Sequence, residues 1–313
     1  MQVHYGLDKE FNIRNPVITT GSFDGVHVGH KTILNRLRKI ARDVDGESVL
    51  ITFYPHPRKV LYPDTAGREL RLINSQSEKI KLLKTTKLDH LIIVDFTIEF
   101  SKISSADFIR KILVGRLAAR KVVVGFNHHF GHNREGDYEY LYELGRYFNF
   151  EVEEIPQQDI DNETVSSTKI RKALKDGNIQ RANAYLDHHY IIRGKLEKGD
   201  IKLYDKGFPT LRLPVEEDTK LIPPDGIYAI HVISGSIYYR GMIKIKRPSE
   251  TDSASSCNIA LELHLFDYNI NLVGQTATIF FHKQIRDDTI YTNGYDLLSE
   301  LREAKEETEE LIY

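Results

Sequence analysis

Two histidines, His27 and His30, close a segment built mainly of glycines and small residues: Gly21-Ser22-Phe23-Asp24-Gly25-Val26-His27-Val28-Gly29-His30. The segment follows the apolar run Val17-Ile18-Thr19-Thr20. It leads into Ile33, Leu34, Leu37, Ile40 and Ala41, which recur at helical spacing. A glycine turn between strand and helix lets backbone approach a ligand with no side chain in the way. The helix start presents unpaired N–H groups and a positive dipole end to phosphate, and imidazoles there add further donors. The chemistry this favours is phosphate binding and stabilisation of charge on phosphate oxygens. Two other readings stay open for the histidines: a metal pair, for which no third ligand lies nearby in sequence, and a purely structural pair.

Three further stretches carry side chains of the same kind. In Ser166-Ser167-Thr168-Lys169-Ile170-Arg171, Ser166 or Ser167 suits the cap of a helix beginning near Thr168. A hydroxyl and two cations then gather at its first turn, and a plain helix cap is the alternative. His56 stands between Pro55 and Pro57, as a rigid loop residue or as a ligand contact. Gly125 to Asp137 holds His128, His129 and His132, with Arg134 and Asp137 beyond them. A metal cluster is one reading of these histidines and a ligand-binding loop is the other.

The elements that must position these groups follow from periodicity. Ser48 to Phe53, Leu91 to Val94 and Val122 to Val124 read as buried strands between helical patterns. Ser75 with Glu78, and Ser104 with Asp107, form capping boxes ahead of apolar runs. Strands alternating with helices imply a parallel sheet, whose ligands bind beyond the carboxyl ends of its strands. The loops of interest are therefore Gly21 to Gly29, Tyr54 to Arg58 and Gly125 to Asp137. Past residue 190 the pattern changes. Ile191–Leu196, Gly226–Ile233, Ile237–Ile245, Asn258–Leu265 and Gln275–Phe281 read as strands separated by turns. Helical spacing returns at Leu297, Leu298, Leu301 and Ala304, with Lys305 to Glu310 as a solvated end. The expectation is an α/β domain over residues 1–186 and a small all-β barrel with a terminal helix over 187–313.

Composition bounds the partners. A net charge of -2 over 313 residues argues against a general polyanion binder, so no nucleic-acid partner is expected. The single cysteine, Cys257, excludes an intrachain disulfide and fits a reducing compartment. No leader-like N-terminal stretch and no apolar run long enough to span a bilayer is seen, so a cytoplasmic protein without a membrane partner is expected. Oligomeric state is not readable.

The ten-residue run resembles the HxGH signature of nucleotidyltransferases, in the extended form G-x-F-D-G-x-H-x-G-H of bacterial bifunctional riboflavin kinase/FAD synthetases. Thr52-Phe53-Tyr54-Pro55-His56-Pro57 is similar to that family's T-F-x-P-H-P motif, and Ser166 to Arg171 to its S-S-T-x-I-R motif. Gly125 to Asp137 is similar to its G-x-D-F-x-F-G…R-x-G-D loop, with Asn127 where Asp often stands and His128 where Phe often stands. The resemblance implies a Rossmann-like FMN adenylyltransferase that joins ATP and FMN into FAD, with Mg²⁺ arriving with ATP and no protein metal site in this domain. By the same resemblance Gly21, Phe23, Asp24, Gly25, Gly29, Ser166, Ser167 and Thr168 bind nucleotide. His27, His30 and Arg171 serve the transfer, and His56, Asn127, Arg134 and Asp137 the flavin.

The second half resembles the riboflavin kinase module. Gly207-Phe208-Pro209-Thr210 matches the start of G-F-P-T-A-N, and Pro223 to Ala229 matches P-x-D-G-V-Y-A. Glu262-Leu263-His264-Leu265-Phe266-Asp267-Tyr268 is similar to E-V-H-L-L-D-F. The resemblance makes Glu262 the base toward riboflavin and Thr210 a nucleotide or metal contact. Departures stand beside it: Leu211-Arg212 in place of Ala-Asn, Leu203-Tyr204 in place of a Gly-Arg pair, and Lys246-Arg247-Pro248-Ser249 as a reduced loop. A guanidinium ~4 Å from Mg²⁺ is repelled by at most about 8 kcal/mol at an effective dielectric of ~20. Two readings follow: a fully bifunctional enzyme that also phosphorylates riboflavin, and, slightly favoured by the motifs, an FAD synthetase whose β domain binds flavin without phosphorylating it.

Overall fold

The computed structural model describes residues 1–126, 129–156, 159–160, 163–199, 210–248, 259–266, 272–287 and 297–311. They form two compact units. One comprises Met1–Leu70 and Lys79–Ser166, the other Arg71–Glu78 and Ser167–Tyr313.

The first unit is built on a six-stranded, fully parallel sheet. Its strands are β1 (Gln2–Tyr5), β2 (Val17–Thr20), β3 (Ser48–Tyr54), β4 (His90–Asp95), β5 (Lys121–Gly125) and β6 (Glu151–Ile155), in the order β1-β4-β3-β2-β5-β6. Both faces are buried. Val17, Leu50, Leu91, Ile93 and Val123 pack to one side and Ile18, Val49, Ile51, Ile92, Val122 and Val124 to the other. That alternation explains why the strands read as continuous apolar runs. Helix α1 (Val28–Asp43) covers the first face through Leu34, Leu37, Ile40 and Ala41, four of the five positions its periodicity singled out, with the fifth, Ile33, partly buried against the same cluster.

The chain order places the site. From β2 the chain moves outward to β3 and β4, then returns to β5 on the other flank of β2. Strand order reverses between β2 and β5, and the crevice beyond such a switch point is where open parallel sheets bind ligands. The loops that leave β2 and β5 begin at Gly21 and Gly125.

In the second unit, helices Ser167–Lys175 and Ile179–Leu186 precede an antiparallel sheet. After the short pair β7 (Asp159–Ile160) and β8 (Glu163–Thr164) in the first unit, its strands are β9 (Tyr190–Lys195), β10 (Glu197–Lys198), β11 (Leu211–Arg212), β12 (Gly226–Ser234), β13 (Ile237–Lys246), β14 (Ala260–Leu265) and β15 (Thr276–Asp287). Their order is β10-β11-β14-β13-β12-β15-β9. The two edge strands are consecutive in the chain, separated only by Leu196, so the sheet comes round on itself as the expected barrel-like wall. The terminal helix Leu297–Leu311 buries Ala304 and Thr308 and leaves Glu310 exposed. Most of its acidic residues remain exposed, and Arg286 pairs with Glu303 (3.1 Å) and Glu307 (2.5 Å).

Candidate active site

The loop from Gly21 to His30 is held in an unusual backbone form. Phe23 (φ 50°), Gly25 (φ 91°) and Val26 (φ 42°) all have positive φ. For a bulky aromatic and a β-branched residue such angles are strained and persist only when the surroundings impose them. Phe23, Asp24, Val26 and His27 are all buried, and Gly21 N–H is tied to the Ile51 carbonyl at 3.1 Å. His27 is the N-cap residue of α1, so both histidines stand at that helix's first turn. Their rings stack at 3.6 Å between centroids, and Phe23 stacks on His30 at 4.5 Å. The faces lie parallel rather than converging on a common point, a geometry suited to presenting ring edges to an anion.

His30 Nδ1 is buried with no hydrogen-bond partner among the described residues. Burial first, then His27 and Lys79, holds the His30 imidazole well below its ordinary range. The ring is thus neutral in the free protein near pH 7.

Lys79, which sequence reasoning passed over, reaches this loop from α3 (Gln76–Thr85). It is 7% exposed, and Nζ donates to the Ser22 carbonyl (3.3 Å) and to Thr52 Oγ1 (3.2 Å). The available signal was helical spacing: Lys79 lies four residues before the buried Leu83, on the inward stripe.

The other expected residues of this unit have local structural duties as well. His56 caps α2 (Pro57–Leu61), its Nδ1 accepting from Arg58 N–H at 3.2 Å. Asp137 caps the helix Tyr138–Phe148, accepting from Tyr140 N–H at 2.9 Å. Arg134 is exposed, in a turn with φ 60°. Gly131 (φ 77°) passes so close to Ser105 that a Cβ would lie 2.3 Å from its hydroxyl. Glu135 accepts from Ser105 N–H (2.8 Å) and closes the same turn. Asn127 and His128 lie outside the described residues. Among the described residues no group of three or more metal-ligating side chains converges.

Ser166 ends the first unit, while Ser167, Thr168 and Arg171 lie in the second, on a helix that begins at Ser167, one residue before the expected start. There Arg171 Nε donates to the Arg71 carbonyl at 2.9 Å. In the sheet, Glu262 of β14 stands directly opposite Arg212 of β11 and Lys244 of β13. Directly opposed residues project to the same face, so the candidate base has a cation on either side. The carbonyl of Thr210 accepts from Gly199 N–H at 3.2 Å. Asp225 bonds Arg247 through its backbone N–H (3.0 Å) and its guanidinium, which also donates to the Pro223 carbonyl at 2.9 Å. The two halves of this lock were visible as separate motifs, but their pairing was not. Leu203, Tyr204, Gly207 to Pro209, Ser249 to Cys257, Asp267 and Tyr268 lie outside the described residues.

Residues 9–169 match the FAD synthetase family, and residues 186–312 the riboflavin kinase family. A bifunctional riboflavin kinase/FMN adenylyltransferase from Buchnera aphidicola (subsp. Schizaphis graminum) is 30% identical over 92% of this chain and 91% of its own length. This chain belongs to the bifunctional riboflavin kinase/FMN adenylyltransferase family. Other members of the riboflavin kinase/FMN adenylyltransferase family align over comparable lengths. Those of Listeria monocytogenes and Escherichia coli K12 are 28% and 29% identical, over 94% and 91% of this chain and 91% and 89% of theirs. A crystal structure described as a macrolide-efflux protein from Streptococcus pneumoniae superposes with a TM-score of 0.84 at 26% identity, covering 99% of this chain and 98% of that one. No helix among the described residues is long and apolar enough to cross a membrane.

Proposed function

We propose that the first unit makes FAD by transferring AMP from ATP to FMN, with the loop Gly21–His30 receiving the triphosphate. The observation that carries this is the strained loop at the strand-order switch, with His27 and His30 stacked on the helix start. An FMN phosphate oxygen attacks the α-phosphorus in line. A new P–O bond forms, the bond to the β-phosphate oxygen breaks, and pyrophosphate leaves with the electron pair. The nucleophile is already an anion, so no protein base is needed, and catalysis rests on positioning and charge stabilisation. His27 and His30 face the transferring and leaving phosphates. Gly21, Phe23, Asp24, Gly25 and Gly29 shape their cradle; Ser166, Ser167, Thr168 and Arg171 are assigned to the nucleotide by the resemblance of their segment to the family's S-S-T-x-I-R motif. His56, Asn127, Arg134 and Asp137 serve the flavin. Mg²⁺ enters as MgATP, held by the phosphates. The functional division falls at 186/187, and the setting is cytoplasmic.

For the second unit the reading favoured is a flavin-binding module that does not phosphorylate riboflavin. The supporting observation is Arg212 opposite Glu262. A guanidinium at that place crowds Mg²⁺-nucleotide, and it sits on the strand position opposite the carboxylate that would take the ribityl proton. Incubation with MgATP and either riboflavin or FMN, followed by flavin chromatography, tests both parts. FAD from FMN with riboflavin untouched is expected. Conversion of riboflavin to FMN or FAD makes the enzyme fully bifunctional, with Glu262 as base and Thr210 at its nucleotide. No FAD from FMN overturns the first part.

A further inference from the structure

Behind the stacked histidines lies a closed triangle of hydrogen bonds. The Ser22 carbonyl accepts from Thr52 Oγ1 (3.2 Å) and from Lys79 Nζ (3.3 Å), and the same Thr52 hydroxyl accepts from Lys79 at 3.2 Å. Thr52 is 0% exposed and Lys79 7%. In so dry a place such bonds are directional, although each is longer than the ~2.7–2.9 Å of a strong charge-assisted bond. Burying an ammonium nevertheless costs several kcal/mol, so an ion in this position is weak support for stability. Its geometry suggests another use. Ser22 directly precedes Phe23, the first strained residue of the loop, and Phe23 carries the face on which His30 stacks. Fixing the Ser22 carbonyl therefore fixes the ring against which His30 is set.

We propose that Lys79 is a positioning residue for adenylyl transfer, clamping the loop from behind so that His27 and His30 present their ring edges to the triphosphate in one fixed geometry. Its charge is also one of the causes that hold the His30 imidazole low. The assignment rests on the adenylyl-transfer reading of this loop. That reading is tested separately by FAD formation in the wild-type protein and its loss in His30→Ala.

The experiment uses the full chain with FMN and MgATP. Lys79→Met, Lys79→Arg, Thr52→Val and the Lys79→Met/Thr52→Val double variant are compared, each with its folded fraction measured by circular dichroism at the assay temperature. A misplaced donor set is expected to lower kcat about 10²-fold per folded molecule in Lys79→Met, with KM for FMN changed little. Lys79→Arg is expected to recover part of kcat. The double variant is expected to be no slower than Lys79→Met alone, because the two residues act as a unit. A Lys79→Met protein whose kcat per folded molecule stays within about threefold of wild type overturns the proposal, whatever its melting temperature. So do losses in the two single variants that multiply in the double.

Discussion

Lys220 Nζ lies 2.6 Å from Glu78 Oε2, with both side chains almost wholly buried in the second unit. The ammonium donates also to the Ile73 (2.6 Å) and Ile191 (2.8 Å) carbonyls, and it sits 4.3 Å from the centre of the Tyr190 ring. Glu78 in turn accepts from Ser75 N–H and Arg193 N–H, both at 2.8 Å, while Ser75 Oγ accepts from Glu78 N–H at 3.3 Å. The capping box read in the sequence is thus real, and its carboxylate also anchors the segment 71–78 to the second unit. Removing one partner leaves the other charge buried and uncompensated, which costs about 3–5 kcal/mol. Lys220→Met is expected to lose that much in urea unfolding, and Lys220→Met with Glu78→Leu less than the sum of the singles. A single-variant loss below about 1 kcal/mol contradicts this account.

His30→Ala removes one donor at the helix start and the partner of both the Phe23 and His27 stacks. FAD formation from FMN and MgATP is expected to fall about 10²–10³-fold, the usual effect of deleting one phosphate-stabilising donor. Near-normal turnover would remove His30 from the transfer step.

Asp137 has two candidate duties, and substitution separates them. Asp137→Asn keeps the side-chain oxygen that caps the helix Tyr138–Phe148, whereas Asp137→Ala loses it and is expected to cost about 1 kcal/mol. If the carboxylate contacts flavin, Asp137→Asn raises KM for FMN while its melting temperature holds. If KM is unchanged in Asp137→Asn, the residue is a cap alone.

The second unit carries a titration of its own. His231 Nδ1 and His282 Nε2 are 2.7 Å apart, and the His189 ring lies 4.3 Å from that of His282. Burial first, then these neighbouring imidazoles, lowers His231 and His282 to about 4. The unfolded chain, with ordinary histidines near 6.5, takes up protons first as pH falls. Stability is therefore fully present above about pH 6.5 and declines as pH drops toward about 4. Calorimetry between pH 7 and 4 is expected to show a falling melting temperature, with a shallower slope in His282→Gln. An unchanged slope in that variant would assign the acid sensitivity elsewhere.

Much was legible because local rules and the global fold agree here. The strand β2, the helix α1 with its four buried apolar positions, and the glycine loop between them follow from periodicity and backbone freedom, which are properties of contiguous residues. The longer strands of the second unit were legible for the same reason, though β15 runs on to Asp287, past the Phe281 at which the apolar alternation fades, and the two-residue strands β10 and β11 were not read. Edge strands β1 and β6 and the helix Tyr138–Phe148 were not read. β1 and β6 are held mainly by their neighbours β4 and β5, and carry little apolar pattern of their own.

What the sequence determined by itself is the set of chemical groups: histidines at a helix start, glycines that open the backbone, a carboxylate in a strand flanked by departures from the kinase pattern. What only the tertiary structure decided is which distant residues complete them. Lys79 meets Ser22 across 57 positions and Lys220 meets Glu78 across 142, while Arg212 stands opposite Glu262 in the register of a strand pair. Such partners share no local pattern. They are selected by where a buried charge finds its oxygen acceptors once the sheets have formed, and that choice is made by packing in three dimensions.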